Sequence, residues 1–230
     1  MLGIIGAMDE EVSKLKEIMM DVDVMERASM DFYNGTIDGK NIVVVRSGIG
    51  KVNAGICTQI LVDEYGVDAV INTGIAGSLN NSIEIGDIVL STDALQHDMD
   101  ATGFGYEPGV IPRMKTSIFE ADEGLRKIAK ECCEKVNPEI NVFEGRVVSG
   151  DQFISDKTKK KYICDNFNGL CTEMEGAAIA QAAYLNDVPF LIIRAISDKA
   201  DDSATVDYPT FEAKAIEHSV RLVKAIISEI

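Results

Sequence analysis

The sequence predicts an α/β fold with a mixed, largely parallel sheet. Apolar runs of strand length alternate with helical patterns along almost all of the 230 residues, and this alternation is typical of strands joined by crossover helices. Hydrophobic residues make up 46% of the chain, which is enough for one large core. No linker-like stretch or shift in composition divides the sequence, so we expect one domain over residues 1–230.

Strands are predicted where apolar runs end in polar or turn-forming residues. The first covers residues 2–8. Asp38-Gly39 then separates two short runs of β-forming residues, which is a strong hairpin signal and makes the sheet mixed. The hairpin strands and the later buried strands are expected at Tyr33–Ile37, Ile42–Arg46, Val67–Asn72, Asp87–Ser91, Val142–Ser149 and Pro189–Ile193.

Helices are predicted where apolar residues recur every three or four positions. The first opens with Asp9-Glu10-Glu11, and a second follows Gly50. The later helices are expected at 122–135, at 156–165, in the alanine-rich run after Gly176, and at 209–229. The long irregular stretch 96–117 fits no element, and a loop of that length in a compact domain is usually functional or an interface.

The composition excludes several classes of partner. The net charge is -16, from 22 Lys and Arg against 38 Asp and Glu, so neither nucleic acid nor an anionic membrane is expected to bind. We find no signal-peptide pattern and no run long enough to span a membrane. The five cysteines form no CxxC pair, which favours reduced thiols and a cytoplasmic location.

Five predicted strands end in small or polar residues instead of plain turns. The residues at or just after these ends are Met8, Ser47, Thr73, Ser149 and Arg194. Open α/β sheets bind their ligands outside the carboxyl ends of the strands. Strand ends that converge in this way predict a ligand site at one edge of the sheet.

Five charged residues are the main candidates for chemistry, and each has a purely structural alternative. Glu11 is either a general base or a first-turn acid that stabilises its helix. Glu173 and Glu175 lie just before a helix, where one could serve only as a cap and the other be an exposed carboxylate. Arg194 could pair structurally with Asp198 or Asp201, and Asp198 could cap the next segment of the chain. Their joint position after a buried strand favours a site.

Other signals are rejected. Ser47-Gly-Ile-Gly50-Lys51 resembles a phosphate loop, but Val45 and Val52 stand where that motif needs Gly and Ser or Thr. The chain has two histidines, His97 and His218, so a transition-metal site is not expected. No GxSxG elbow is present.

The candidates fall into five motifs, which are Gly3-Ile-Ile-Gly-Ala-Met8-x-Glu-Glu11, Ser47-Gly-Ile-Gly-Lys-Val52, Val148-Ser-Gly-Asp-x-Phe153-Ile154, Glu173-Met-Glu175 and Arg194-Ala-Ile-Ser-Asp198. Together, in this order and through essentially the whole chain, they resemble a known family, the 5′-methylthioadenosine/S-adenosylhomocysteine nucleosidases of the nucleoside phosphorylase-like superfamily.

The resemblance implies a three-layer α/β/α homodimer that hydrolyses the N-glycosidic bond of 5′-thio-substituted adenosines without metal or cofactor. It implies Glu11 as the base that activates water, Asp198 as the acid that serves adenine N7, and Glu175 as the ligand of the ribose hydroxyls. The implied substrate-binding residues are Met8, Ile49, Phe153, Ile154, Glu173, Met174, Arg194, Ser197 and Tyr208. The partner subunit's site is expected to receive loop 96–117, with Phe104, Tyr106 and Pro112.

One departure and three alternatives remain. The family commonly has serine where this chain has Ile75, so the resemblance does not predict the water network on that side of the site. A nucleoside phosphorylase of the same fold is the nearest alternative, since Arg46 and Arg194 could serve an anion. A futalosine-type nucleosidase and a non-catalytic nucleoside-binding protein are the others.

Overall fold

The buried apolar runs form the strands of one mixed sheet. The computed structural model describes residues 1–230. The strands are β1 (Leu2–Gly6), β2 (Met20–Arg27), β3 (Met30–Ile37), β4 (Lys40–Arg46), β5 (Ala69–Ser78), β6 (Ile88–Gln96), β7 (Phe119–Glu120), β8 (Val142–Ser149), β9 (Cys171–Glu173) and β10 (Phe190–Asp198). The helices are α1 (Asp9–Glu17), α2 (Lys51–Tyr65), α3 (Glu123–Val136), α4 (Lys157–Phe167), α5 (Gly176–Leu185) and α6 (Ala204–Glu229).

The sheet curls back on itself at one end. Its strand order is β10-β6-β8-β9-β5-β1-β4-β3-β2, and β10 also pairs with β5, so β10, β6, β8, β9 and β5 close into a ring. β1 lies between β4 and β5, parallel to both, whereas the β3–β4 hairpin is antiparallel, as its Asp38-Gly39 turn predicts. The predicted α/β class with a mixed sheet is confirmed.

Helices cover both faces of the sheet, which gives three layers. α1 and α3 each pack on α6, and α6 also lies on β5 and β10. α2 and α5 pack together on the other side. The core is aliphatic and continuous through the sheet, while a smaller cluster lies under α4. None of the six helices combines the length and apolar character that crossing a bilayer requires.

Helix ends follow from local chemistry. The side chains of Asp122 and Asp156 accept hydrogen bonds from Leu125 N and Lys159 N, which caps α3 and α4. The C-terminus of α2 stops at Gly66, which adopts the left-handed conformation that glycine accepts most easily.

Several elements differ from the sequence expectation. β5 does not end at Asn72 but continues to Ser78, and β10 continues through Arg194 to Asp198. These polar strand residues stay in the sheet because other buried groups hydrogen-bond them. Strand β2 was missed because its side chains are almost all exposed at the sheet edge, and β7 and β9 because they are only 2 and 3 residues long. Helix α6 begins at residue 204 instead of 209, so its proline lies inside the helix.

Candidate active site

One cavity of about 450 Å³ opens where the ends of β1, β5, β9 and β10 meet. Its lining residues are Ala7, Met8, Glu11, Ile49, Ile75, Ala76, Gly77, Gln152, Phe153, Ile154, Thr172, Glu173, Met174, Glu175, Ser197, Asp198 and Tyr208. Strand ends do meet at one edge of the sheet, but of the five strand-end residues named from the sequence only Met8 lines the cavity, while Ser47, Thr73, Ser149 and Arg194 do not. Among the lining residues the charged ones are all carboxylates.

Glu11 is both a helix-capping residue and a cavity residue. Its Oε2 accepts hydrogen bonds from the backbone N–H groups of Ala7 (2.6 Å) and Met8 (3.0 Å). Its Oε1 accepts from Ile75 N at 3.2 Å. Burial raises the pKa of Glu11, although the Arg194 charge and the backbone N–H groups oppose the shift. A fixed carboxylate whose pKa is raised is a stronger base than an exposed one and is suited to general-base work.

Glu173 and Arg194 form a buried ion pair behind the cavity. Arg194 Nη2 donates to Glu173 Oε2 and, at 2.5 Å, to Asn72 Oδ1. Glu173 also accepts from Ser149 Oγ and from the backbone N–H groups of Glu175 and Gly176. It thus caps α5, as the structural alternative expects, but the other carboxylate, Glu175, is buried and not exposed as that alternative requires. Arg194 is only 1% exposed and does not line the cavity.

Glu175 faces the cavity at the start of α5. Its Oε1 accepts from Gly50 N at 2.8 Å, and its Oε2 lies 3.9 Å from Arg194 Nη2. Burial and the neighbouring Glu173 carboxylate raise the pKa of Glu175 to about 7, against the attraction of Arg194. This site therefore gathers three buried carboxylates, Glu11, Glu173 and Glu175, around one guanidinium.

Asp198 lies at the end of β10 and is held on both oxygens. Its Oδ1 accepts from Ala200 N at 2.8 Å, and its Oδ2 accepts from Ser197 Oγ at 2.8 Å. Burial raises its pKa, while these two hydrogen bonds lower it. The carboxyl is positioned to exchange a proton with a group bound in the cavity.

The remaining cavity wall is mostly apolar and partly aromatic. The rings of Phe153 and Tyr208 meet edge to face, with centroids 5.8 Å apart. Tyr208 Oη donates to Glu212 Oε1 at 3.0 Å and lies 3.4 Å from Met8 Sδ. Phe153 is 49% exposed in this chain, so one ring face is free to stack on a flat ligand.

Two glycines of β5 make room for the charged groups. A Cβ on Gly74 would lie 2.2 Å from Arg194 Nη1 and 2.5 Å from Glu11 Oε1. A Cβ on Gly77 would lie 2.8 Å from Asp198 Oδ1. The Thr-Gly-Ile-Ala-Gly segment is therefore not a turn after a strand but a strand that side chains approach closely.

Most of the predicted site residues come together, and a few do not. All the predicted catalytic and substrate-binding residues except Arg194 line the cavity. Phe104, Tyr106 and Pro112, which were predicted for the partner subunit's site, lie in the loop after β6 and outside this chain's own cavity wall.

The structure also adds residues that no motif marked. Gln152 and Thr172 line the cavity, and the Thr172 hydroxyl is buried without a hydrogen-bond partner. Each directly precedes a predicted site residue, and this adjacency is the feature of the sequence that could have indicated them. Ile75, the departure from the family pattern, also lines the cavity, and its backbone N–H contacts Glu11.

Comparisons with known proteins identify the family of the chain. The model of the phosphorylase superfamily matches residues 1–228. The 5′-methylthioadenosine/S-adenosylhomocysteine nucleosidase of Staphylococcus carnosus is 42% identical, and the match covers 100% of both chains.

Solved structures extend the comparison. The enzyme of that name from Neisseria meningitidis, in complex with methylthio-immucillin-A, has a TM-score of 0.95 and 36% identity, with 100% of this chain and 99% of that chain covered. A futalosine hydrolase of Helicobacter pylori has a TM-score of 0.94 and 33% identity, covering 100% and 97%. The chain belongs to the phosphorylase superfamily and, within it, to the family of 5′-methylthioadenosine/S-adenosylhomocysteine nucleosidases.

Proposed function

We propose that this protein, as one domain over residues 1–230, hydrolyses the N-glycosidic bond of 5′-methylthioadenosine and S-adenosylhomocysteine, with 5′-deoxyadenosine as a further candidate substrate. The products are adenine and the 5-substituted ribose. The observation that carries the proposal is the cavity in which Glu11, Glu175 and Asp198 meet beside an aromatic slot, which is formed by the rings of Phe153 and Tyr208. Relatives of this name share the full length of the chain.

The three carboxyl groups divide the reaction between them. Cleavage of a nucleoside C–N bond passes through an oxocarbenium-like state that carries positive charge on the sugar. Glu175 binds the ribose hydroxyls and stabilises this charge. Glu11 accepts a proton from a water molecule as that water attacks the anomeric carbon, because its carboxylate is fixed by three backbone N–H groups.

The leaving adenine needs a proton. Asp198 donates it towards N7, and Ser197 and the Ala200 N–H hold the carboxyl in place. Burial raises the pKa of Asp198, which brings the group closer to the range in which a proton donor works at neutral pH. Phe153 stacks on the adenine ring, the Ile154 backbone reads its edge, and Met8, Ile49, Met174 and Tyr208 surround the sugar and its 5′-substituent.

A phosphorylase of the same fold is the nearest alternative, and the charges argue against it. Phosphorolysis needs a cationic pocket for the anion, but no Lys, Arg or His lines this cavity. Arg194 is engaged by Glu173 and Asn72, and Arg46 lies near Asp9, with Nε and Oδ1 3.3 Å apart.

An assay with methylthioadenosine in the presence and absence of phosphate tests the proposal. We expect adenine and free methylthioribose at equal rates in both buffers. A sugar 1-phosphate formed only with phosphate would establish a phosphorylase. No release of adenine would indicate a different nucleoside or a binding role, and futalosine is then the first substrate to try, because the Helicobacter pylori futalosine hydrolase is a close structural neighbour.

We further propose a cytoplasmic homodimer. Exposed apolar residues on α2, on the end of α5 and on the loop after β6 support it; they are Val52, Ile56, Tyr184, Leu185, Phe104 and Tyr106. The loop joins these helices into one surface, since Asp98 binds Lys51 of α2 and Met114 contacts Gln181 of α5. Five free cysteines, four of them buried, fit a reducing compartment.

A further inference from the structure

A cluster of three charged side chains lies beside the cavity but outside its wall. Lys51 Nζ donates to Asp98 Oδ1 at 2.6 Å, and Asp98 Oδ2 accepts from Asp151 N at 2.9 Å. Asp151 Oδ1 in turn accepts from Lys51 N at 2.8 Å. We call this closed set of contacts the Lys51–Asp98–Asp151 clamp. The proposed chemistry uses none of its three residues.

The clamp joins three separate segments of chain. Lys51 is the first residue of α2, Asp98 follows β6 by two positions, and Asp151 follows β8 by two. The N-cap residue of α2 is Gly50, which has no side chain to cap the helix, and Asp151 supplies the missing acceptor from another segment. The Lys51 and Asp98 side chains are only 18% and 15% exposed, so their charges are partly shielded from water.

The clamp holds the segment that carries the aromatic slot. Residues 150–156 between β8 and α4 have no regular secondary structure, and Gln152, Phe153 and Ile154 of this segment line the cavity. The neighbouring Gly50 N–H binds Glu175. Because Gly50 directly precedes Lys51, the clamp also links this segment to the Glu175 carboxylate.

Asp98 is the central member, because it is the one that contacts both other segments through its side chain. Burial raises the pKa of Asp98, but the hydrogen bonds from Lys51 and the Asp151 N–H outweigh it and the net shift is downward. The carboxylate form is thus the one the surroundings favour. Charge-assisted hydrogen bonds of this kind are the stronger ones in proteins.

We propose that Asp98 is a positioning residue for the base-binding segment 151–154, an inference that rests on the proposed function because it takes adenine as the base. Without Asp98 the Asp151 N–H loses its acceptor, and Lys51 Nζ keeps only its hydrogen bond to Gln96 Oε1, at 2.9 Å, which does not reach the segment. The slot then samples positions in which Phe153 no longer stacks on the ring. Binding of the base suffers more than the chemical step.

The test compares Asp98→Ala and Asp98→Asn with wild type. We expect Asp98→Ala to raise the Kd for adenine and the KM for methylthioadenosine about tenfold, with a smaller change in kcat. Asn keeps one acceptor but places its NH₂ against a donor, so Asp98→Asn should fall between. Lys51→Met should weaken adenine binding too, and combined with Asp98→Asn its effects should not add.

The matched control is Asp93→Asn. Asp93 lies on β6, pairs with Arg146 Nε at 2.5 Å and is similarly shielded, yet it does not line the cavity. We expect it to lower thermal stability and leave the Kd for adenine unchanged. Thermal unfolding and native mass, measured on every variant, separate misfolding or loss of assembly from a moved slot.

The experiment distinguishes a failure of the positioning role from a failure of the proposed function. If wild type binds adenine and folded Asp98→Ala and Lys51→Met bind it equally well, the positioning role is wrong while the proposed function stands. If Asp93→Asn weakens adenine binding as much as Asp98→Asn, the effect is general destabilisation and the inference is also overturned. Wild type that fails to bind adenine would overturn the proposed function and this inference with it.

Discussion

At the scale of single residues, the position of Glu11 makes the sharpest prediction. Glu11→Gln removes the proton acceptor, and its NH₂ must face one of the N–H groups that now bind the carboxylate. We expect kcat to fall about 10²–10⁴-fold, the range for a lost general base. Steady-state release of adenine from methylthioadenosine measures the change.

The control for Glu11→Gln is Glu10→Gln, since Glu10 is the exposed neighbour on the same helix turn. We expect Glu10→Gln to leave kcat unchanged, and calorimetry with adenine shows whether each variant still binds the base. A Glu11→Gln protein that binds adenine normally and retains full turnover would refute the assignment of the base.

Glu175 predicts a pH-dependent stability. Its pKa is about 7 in the folded chain, against an ordinary value of 4.5. The folded state therefore favours the protonated form of Glu175. The resulting contribution to the free energy of unfolding is fully present below pH 4.5 and is lost as pH rises through about 7. Gln stays neutral throughout, so Glu175→Gln should melt at a higher temperature than wild type at pH 8 and at a similar temperature near pH 4.5.

Differential scanning calorimetry across this range measures the effect, with the exposed Glu134→Gln on α3 as control. The comparison isolates one group, because Glu11 and Asp198, whose pKa values burial also raises, are unchanged in the variant. Parallel curves of Tm against pH for wild type and Glu175→Gln would contradict a raised pKa. Turnover of Glu175→Gln should fall at every pH, since the ribose loses its carboxylate.

At the scale of elements, strand β5 explains why glycines recur in the site. Gly74→Ala would place a methyl group 2.2 Å from Arg194 Nη1 and 2.5 Å from Glu11 Oε1, and both side chains would have to move. Misplacing catalytic groups by about 1 Å can cost about 10²-fold. We expect a loss of kcat/KM of at least about that size.

Val70→Ala on the same strand separates this effect from lost stability. Val70 is fully buried, and its truncation should destabilise the fold by about 1–3 kcal/mol without touching the cavity. At a temperature where both variants are folded, we expect Val70→Ala to remain active and Gly74→Ala to be impaired. Equal kcat/KM values for the two would show that the site tolerates a side chain at Gly74.

The elements also show what the sequence could predict. The buried strands and the helices were predictable because hydrophobic periodicity reports burial directly. The ends of β5 and β10 were not, because Thr73 and Arg194 look like strand terminators until their buried partners are known. Edge strand β2 has an exposed, charged pattern that periodicity cannot separate from a loop.

The candidate site was predictable to a similar extent. Motif residues such as Glu11 and Asp198 stand beside strand ends and could be placed. The pairing of Arg194 with Glu173 and the clamp around Asp98 join residues 21 and 47 or more positions apart, which local spacing does not reveal. The ring of strands, which the pairing of β10 with β5 closes, likewise depends on contacts between distant segments.

At the scale of the whole molecule, the proposed dimer makes each site depend on two chains. Phe104 is 86% exposed in the isolated chain and lies outside its own cavity. If it completes the partner's cavity, Phe104→Ala should raise the KM for methylthioadenosine, because one apolar wall of the site is lost. Val206→Ala is a suitable control, since Val206 is also an exposed apolar residue, at 68%, and does not line the cavity.

Mixed dimers distinguish donation between subunits from an effect within one chain. In a dimer of one Glu11→Gln chain and one Phe104→Ala chain, one site has two defects, and the other has an intact Glu11 and an intact Phe104 from its partner. Random pairing of equal amounts makes half of the dimers mixed, so about a quarter of all sites should be wild type. Co-expression should therefore yield about a quarter of the wild-type rate at low substrate plus about a quarter of the rate of Phe104→Ala alone, because Phe104→Ala homodimers hold another quarter of the sites. This sum exceeds the average of the two separate variants. A rate equal to that average would mean that each chain works alone, and the loop would then need another explanation.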